Sequence, residues 1–294
     1  MACVRWDLMF PIVSGVVGQV VVDTSYTLSE LTYGDVANAG SNAVVEVMVS
    51  PTQMFITDEP GSGEELLAYA FDDSSLPNFG ALQDDLSFNN ESPRGNCFGD
   101  SGNYLYVVGQ ATPYLQRKAL ANPYDITDVS ATTTKNIASF GATQGIEIKD
   151  DGSVMYIPTS ANADVKVSGL STNWDITSTL STSTVSLAVT DDDGDTIAGM
   201  TGIRFKPDGT KVFISYRANN TPKVAEFSLS TAWDLSTKSF VSSLNIADKL
   251  GYYSAGVYAY VAGLDWNSDG SRLYVASIHV ELTIGEVQVA EYAV

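Results

Sequence analysis

The chain repeats itself, and a repeat fixes architecture more firmly than any local propensity. From Gly202 it reads GIRFKPDGTKVFIS and continues as KVAEFSLSTAWDLST to Thr237. From Gly145 it reads GIEIKDDGSVMYIP with DVKVSGLSTNWDITS, and from Gly263 GLDWNSDGSRLYVA with EVQVAEYAV, where the sequence ends. Two looser copies lie upstream: GNCFGDSGNYLYVV from Gly95 with LQRKALANPYDIT, and VVEVMVSPTQMFIT from Val44 with ELLAYAFDDSS. Aligning Met54, Leu105, Met155, Val212 and Leu273 gives spacings of 51, 50, 57 and 61 residues. That is the period of a four-stranded propeller blade with its loops.

Each part of the repeat has a physical task. The short apolar run before Asp-Gly is an inner strand, and Asp151-Gly152, Asp208-Gly209 and Asp269-Gly270 supply the positive φ of a tight hairpin. The runs MYIP, VFIS and LYVA are second strands, and the alternation in VAEFSL and VQVAEYAV marks a half-buried third. The segment Ser-Thr-x-Trp-Asp turns the chain into a fourth, outer strand, with the Asp bonding backbone amides and the Trp ring covering the blade edge. Trp174-Asp175, Trp233-Asp234 and the variant Tyr124-Asp125 are therefore read as structural rather than as sugar-stacking platforms.

The expected fold is all-β, a single five-bladed β-propeller over residues 1–294 with four-stranded antiparallel blades. The blades fall near 44–94, 95–143, 144–199, 200–260 and 261–294. The last copy lacks its turn and outer strand, whereas Trp6-Asp7-Leu8 stands alone near the start of the sequence. A ring must join its first and last blades or leave two edges open. Aligning Trp6 with Trp233 assigns residues 6 to about 22 as the missing outer strand. The long segments Asp23–Ala43 and Ser181–Gly199 leave room for a degenerate sixth blade.

The formal net charge of -20, from 35 acids and 15 bases, argues against nucleic acid and anionic membrane surfaces as partners. No apolar run is long enough to insert in a membrane. Leu8 to Val22 resembles a signal-peptide core, but Asp7, Pro11 and Gly15 and its place in the last blade speak against cleavage. Cys3 and Cys97 are expected at the rim and on an inner strand, too far apart to bond. His279, the one histidine, is expected between the second and third strands of the last blade and makes a zinc site improbable.

The DGTK-type hairpin followed by VAEFSLSTAWDLST resembles repeats in structural and tail-associated proteins of bacteriophages, marine ones especially, and in some bacterial surface proteins. The resemblance covers residues 95–294 most clearly. It implies a non-enzymatic virion component, such as a tail, fibre or capsid-decoration module, that meets other virion proteins or a host surface glycan. It brings no catalytic motif with it. The alternative is a secreted, extracellular carbohydrate-active propeller, either a glycosidase or a lectin.

One alignment column bears on chemistry: opposite Arg204 stand Glu46, Cys97, Glu147 and Asp265. The expectation that weighs most is a structural network in which Arg204 neutralises the acids. The alternatives are a cation at the axis and, with Glu46, Glu147 and Asp265 as catalytic acids, a glycosidase. The run Asp191, Asp192, Asp193, Gly194, Asp195 fails the EF-hand template, since its Gly is fourth. It leaves a calcium loop through Asp191, Asp193 and Asp195, or a solvated turn between blades. No other cofactor is expected. Tyr252, Tyr253, Tyr258 and Tyr260 are candidates for partner contact on loop tips, set against packing at a blade edge.

Overall fold

The computed structural model describes residues 26, 28, 32–40, 43–59, 65–72, 76–77, 81–88, 92–109, 114–219, 221–246, 258–280 and 285–293. The first strand, β1 (Thr32–Gly40), is followed by β2 (Ala43–Val49), β3 (Gln53–Glu59), β4 (Glu65–Ala70) and β5 (Leu82–Ser87), which make one sheet. The next sheet is β6 (Pro93–Gly99), β7 (Tyr104–Gly109), β8 (Tyr114–Leu120) and β9 (Val129–Asn136). Then follow β10 (Glu147–Ile148), β11 (Val154–Thr159), β12 (Asp164–Leu170) and β13 (Thr179–Ser186). The fourth sheet is β14 (Gly202–Phe205), β15 (Lys211–Ala218), β16 (Thr221–Leu229) and β17 (Lys238–Asn245). β18 (Tyr258–Trp266), β19 (Arg272–Val280) and β20 (Gly285–Ala293) form the fifth, with β1 added outside β20. The protein is thus a five-bladed propeller of antiparallel four-stranded blades, as the repeat requires. The two segments in question as a sixth blade instead supply β1 and the end of β13.

The repeat's turn chemistry is visible in detail. Gly152, Gly209 and Gly270 each sit at φ near 71°, and the preceding aspartate caps its hairpin, Asp208 Oδ1 accepting from the Thr210 amide at 2.9 Å. Trp174 and Trp233 take the left-handed conformation, at φ of 66° and 65°. Each donates its amide to the hairpin glycine's carbonyl at 2.9 Å and lays its ring where that glycine's side chain would stand. Asp175 and Asp234 then cap the following turn, accepting from the amides of Thr177 and Ser236 at 2.9 Å. Glycine is needed beneath the ring both for its φ and for the missing Cβ. Neighbouring blades are tied at the same place: Tyr106 Oη donates to the Trp174 carbonyl at 3.0 Å and Tyr156 Oη to that of Trp233 at 2.6 Å.

Closure by the N-terminal part of the chain holds, but its register differs from the expected one. The outer strand of the last blade is Thr32–Gly40, with Thr32 opposite Ala293 and Val36 opposite Ala290. The residue in the tryptophan's place is Tyr26, at φ 52°, donating its amide to the Gly270 carbonyl at 2.7 Å and covering Gly270 with its ring. Leu28 is buried as Leu235 and Ile176 are in their own turns. Trp6, Cys3 and the segment 6–22 lie outside the described residues. Trp6-Asp7-Leu8 preserves the letters of the motif, whereas Tyr26 preserves only its aromatic ring. That ring is what the glycine seat selects.

Blade 4 pins this segment as well. Leu28 donates its amide to Glu226 Oε2 at 2.9 Å, and Lys211 Nζ bonds the Tyr26 carbonyl at 2.7 Å and Glu226 Oε1 at 2.9 Å. Hydrophobic clusters span adjacent blades, as where Tyr156 and Val165 of blade 3 meet Ile203 and Val212 of blade 4. Among the described residues no helix is long and apolar enough to cross a membrane. Replacing Tyr26 by alanine removes the lid of the closing blade and should cost about 3 kcal/mol, as for other buried aromatics. Denaturant titration of Tyr26→Ala beside Trp233→Ala checks this, and the two losses should be similar.

Candidate functional site

The five inner strands, β2, β6, β10, β14 and β18, meet at the axis, and their side chains form layers. One layer is nearly side-chain-free: Gly95, Gly145, Gly202 and Gly263 approach so closely that a Cβ on Gly145 would lie 3.2 Å from Gly202 Cα, and one on Gly202 3.4 Å from Gly263 Cα. The fifth seat holds Glu46, whose carboxylate fills the space over Gly263. Cross-strand pairing identifies these seats, since Glu46 faces Thr57 as Gly202 faces Ser215.

In the next layer Arg204 pairs with Phe213, Glu147 with Tyr156, Cys97 with Tyr106 and Asp265 with Tyr274, as the alignment column requires. The column is wrong by two residues in blade 1. Met48, opposite Phe55, is the true counterpart of Arg204, because the Ser50–Gln53 hairpin is two residues shorter than the Lys206–Lys211 one. Glu46 still reaches the cluster, because the glycine layer leaves it a path across the axis.

Arg204 is the hub of the site, its side chain 6% exposed. Its closest approaches to the acids are 3.3 Å to Glu147, 3.4 Å to Asp265 and 3.6 Å to Glu46. It also donates to the carbonyls of Ile203 at 2.8 Å, Asn96 at 3.0 Å and Ile146 at 3.2 Å. Asp265 accepts in addition from the amides of Val49 at 2.8 Å and Trp266 at 2.9 Å. Burial works against the Arg204 charge, yet Glu46, Asp265 and Glu147 together hold it more firmly protonated than an ordinary guanidinium. The acids respond in the opposite sense. Burial, only partly offset by Arg204, pushes Glu46 and Glu147 up to about 8 and raises Asp265. Burial, with Glu147 nearby, likewise keeps the Cys97 thiol protonated.

A cavity of about 160 Å³ opens at the hairpin end of the channel, walled by Met48, Val49, Phe98 and Tyr124. Glu147, Arg204, Asp265 and Cys97 complete its lining. The side chains of Glu147 and Asp265 are 15% and 19% exposed, whereas Glu46 is sealed beneath them. Of the axial residues expected from the sequence, Arg204, Cys97, Glu147 and Asp265 share the column and the cavity, while Glu46 joins them only through Arg204. Phe98 and Tyr124 were not expected there, since each reads as ordinary strand or turn material. The position expected for an axial metal is taken by the guanidinium, and no group of His, Cys, Asp and Glu among the described residues is arranged to hold a metal ion.

The aspartate run is also organised around a base. Asp191, Asp193 and Asp195 do converge, but on the ammonium of Lys223, at 2.8, 2.9 and 2.8 Å. Tyr216 Oη adds a bond to Asp191 at 2.6 Å, and Asp192 accepts from the Ser243 amide at 2.7 Å. Burial opposes the Lys223 charge, but its bonds to Asp191, Asp195 and Asp193 more than compensate and hold it protonated above its ordinary value. Lys223, at the start of KVAEFSL, looks like the solvent end of a strand, but the side chain is 1% exposed. The three aspartates thus surround a cation that the chain itself supplies.

The other expected contact residues scatter. Tyr252 and Tyr253 lie outside the described residues, while Tyr258 and Tyr260 belong to strand β18 rather than a loop, paired with Val280 and Ile278. His279 lies within β19, opposite Ala259 and Glu286, not between strands. Cys97 is buried on an inner strand as a free thiol, as expected.

No protein-family model matches the chain, and no curated protein matches it by sequence. Solved structures similar to it include that of a nidogen/laminin complex, at 12% identity over 78% of this chain and 73% of that one, TM-score 0.49. Another is the periplasmic gluconolactonase of Pseudomonas aeruginosa, at 13% over 81% and 69%, TM-score 0.44. A third is the β-propeller domain of Myceliophteria thermophila Cps50 (Swd1), at 8% over 90% and 99%, TM-score 0.45.

Two outcomes follow from the charges. Glu46 and Glu147 bind protons more tightly folded than unfolded, so their contribution to stability is complete below their ordinary value of 4.5 and is lost as pH rises towards about 8. Thermal melts should show the midpoint falling across that window, and Glu147→Gln should flatten the slope by about half. Lys223→Met leaves Asp191 buried without its partner and should cost about 3 kcal/mol. Millimolar Ca²⁺ should restore part of that loss in the variant while leaving the wild-type melting temperature unchanged.

Proposed function

We propose that the protein is a non-enzymatic structural or interaction module, of the kind built into a bacteriophage particle as a tail, fibre or decoration component. It presents its loops to another virion protein or to a host surface glycan. The observation that carries the non-enzymatic part is the placement of Arg204. One guanidinium sits between Glu147 and Asp265 and approaches both within 3.4 Å. Acid and base roles across a sugar bond need two carboxyl groups that face each other over the substrate, with independent proton affinities. Here both answer to the same internal cation, which favours a structural network. The DGTK and LSTAWDLST repeats support the virion part through their resemblance to phage tail-associated proteins.

The alternative, a carbohydrate-active propeller acting outside the cell, draws on Glu147, a carboxyl group pushed up to about 8 beside an open cavity. The two readings separate in one assay. The purified protein is expected to release no product from a panel of oligosaccharides and sugar lactones, and Glu147→Gln and Asp265→Asn should shift its melting temperature without changing that result. Turnover by the wild type that both substitutions abolish would establish the enzyme instead.

A further inference from the structure

The axial cluster holds more carboxyl groups than cations, and at neutral pH protons on Glu46 and Glu147 keep the balance, a place that a second cation could take. Three carboxyl groups share one guanidinium, and its shortest bond, at 2.8 Å, goes to a neutral carbonyl, that of Ile203. Its approaches to the acids, 3.3 to 3.6 Å, are longer than the roughly 2.7–2.9 Å of a well-formed charge-assisted bond. Glu46 meets Arg204 through Oε1, and its other oxygen, Oε2, is fully buried with no hydrogen-bond partner. A buried oxygen of that kind is costly unless some state of the protein satisfies it. A second cation bound to Glu147 and Asp265 would release Arg204 to close on Glu46.

The surroundings suit such a cation. The cavity opens among the hairpins that carry Asp100, Asp150, Asp151, Asp208 and Asp269, whose bases Lys149, Lys206, Lys211 and Arg272 are each already paired to an acid. An acidic rim around a low-dielectric mouth concentrates cations at its centre. Phe98 and Tyr124 on the wall supply aromatic rings, whose faces attract guanidinium and ammonium groups. The acids that line this cavity are Glu147 and Asp265, fewer oxygens than a calcium or magnesium ion takes, so an organic cation matches better.

We propose that this cavity receives a guanidinium or primary ammonium head group, carried by a basic side chain of a partner protein and held between Glu147 and Asp265. This rests on the interaction-module reading and names the partner's chemistry. It is tested on the full chain by titration calorimetry with acetyl-Gly-Arg-Gly-amide, the same peptide with neutral citrulline for arginine, and agmatine. The arginine peptide should bind at least about tenfold more tightly than the citrulline one, and Glu147→Gln, its fold checked by melting, should weaken it by a similar factor. Equal binding of the two peptides, or none, overturns the site. Binding of agmatine without the peptide overturns a partner side chain as the source. The arginine–citrulline contrast needs no variant, and its failure leaves the turnover assay above unaffected.

Discussion

Five strands meeting on one axis leave almost no volume where they come closest, and much of the centre of this protein follows from that crowding. Four blades meet it with glycine, so that backbone lies against backbone. The fifth places a glutamate there, which is possible because the other four are empty of side chains. The acid crosses to Arg204, one layer away, and the channel closes around a charge cluster rather than an apolar plug. An alanine at Gly263 would collide with the Glu46 carboxylate and disturb packing and electrostatics together.

Scarcity of bases is the second organising constraint. With 35 acids and 15 bases, positive charge would be expected at the surface, relieving repulsion. Yet Arg204 and Lys223 are buried, each serving three acids, and Lys211 joins buried Glu226 to the Tyr26 carbonyl. Each cation fastens chain segments that are distant in sequence: Arg204 joins its own blade to the other four, Lys223 anchors the loop after β13 onto β16, and Lys211 ties the N-terminal segment to blade 4. A hydrophobic contact stabilises in proportion to area, but a buried charge also fixes which partners must be present.

Much of this was legible in the letters. Hairpin spacing gave the blade count, because Asp-Gly and the aromatic-Asp turn each require a particular backbone and therefore recur. The axial column was legible for the same reason in four blades. It slipped by two residues in blade 1, where Ser50-Pro51-Thr52-Gln53 makes a shorter turn and no Asp-Gly marks the register. Tyr26 escaped notice because an aromatic ring over glycine is a contact, not a motif, and Thr27 stands where aspartate would have flagged it. Lys223 escaped because a strand sequence does not tell which end meets a neighbouring loop. The aspartates of residues 191–195 announced a cation, but the letters could not say that it was covalently part of the same chain.

The pairing of β1 with β20 has a consequence for how the protein is made. Thr32 and Ala293 are bonded neighbours, yet a ribosome must add everything between them before they can meet. Throughout that interval β1 is an unpaired strand, and the four earlier blades have no ring to close. The contacts of longest range form last, with the greatest loss of chain entropy, and offer the longest opportunity for pairing with a wrong edge. Tyr26 and Leu28, docked on Gly270, Lys211 and Glu226, lie just ahead of β1 in the chain and shorten its search once blades 4 and 5 exist. Translation speed and chaperone access should therefore weigh more heavily on this molecule than on a propeller whose blades each come from one unbroken stretch of chain.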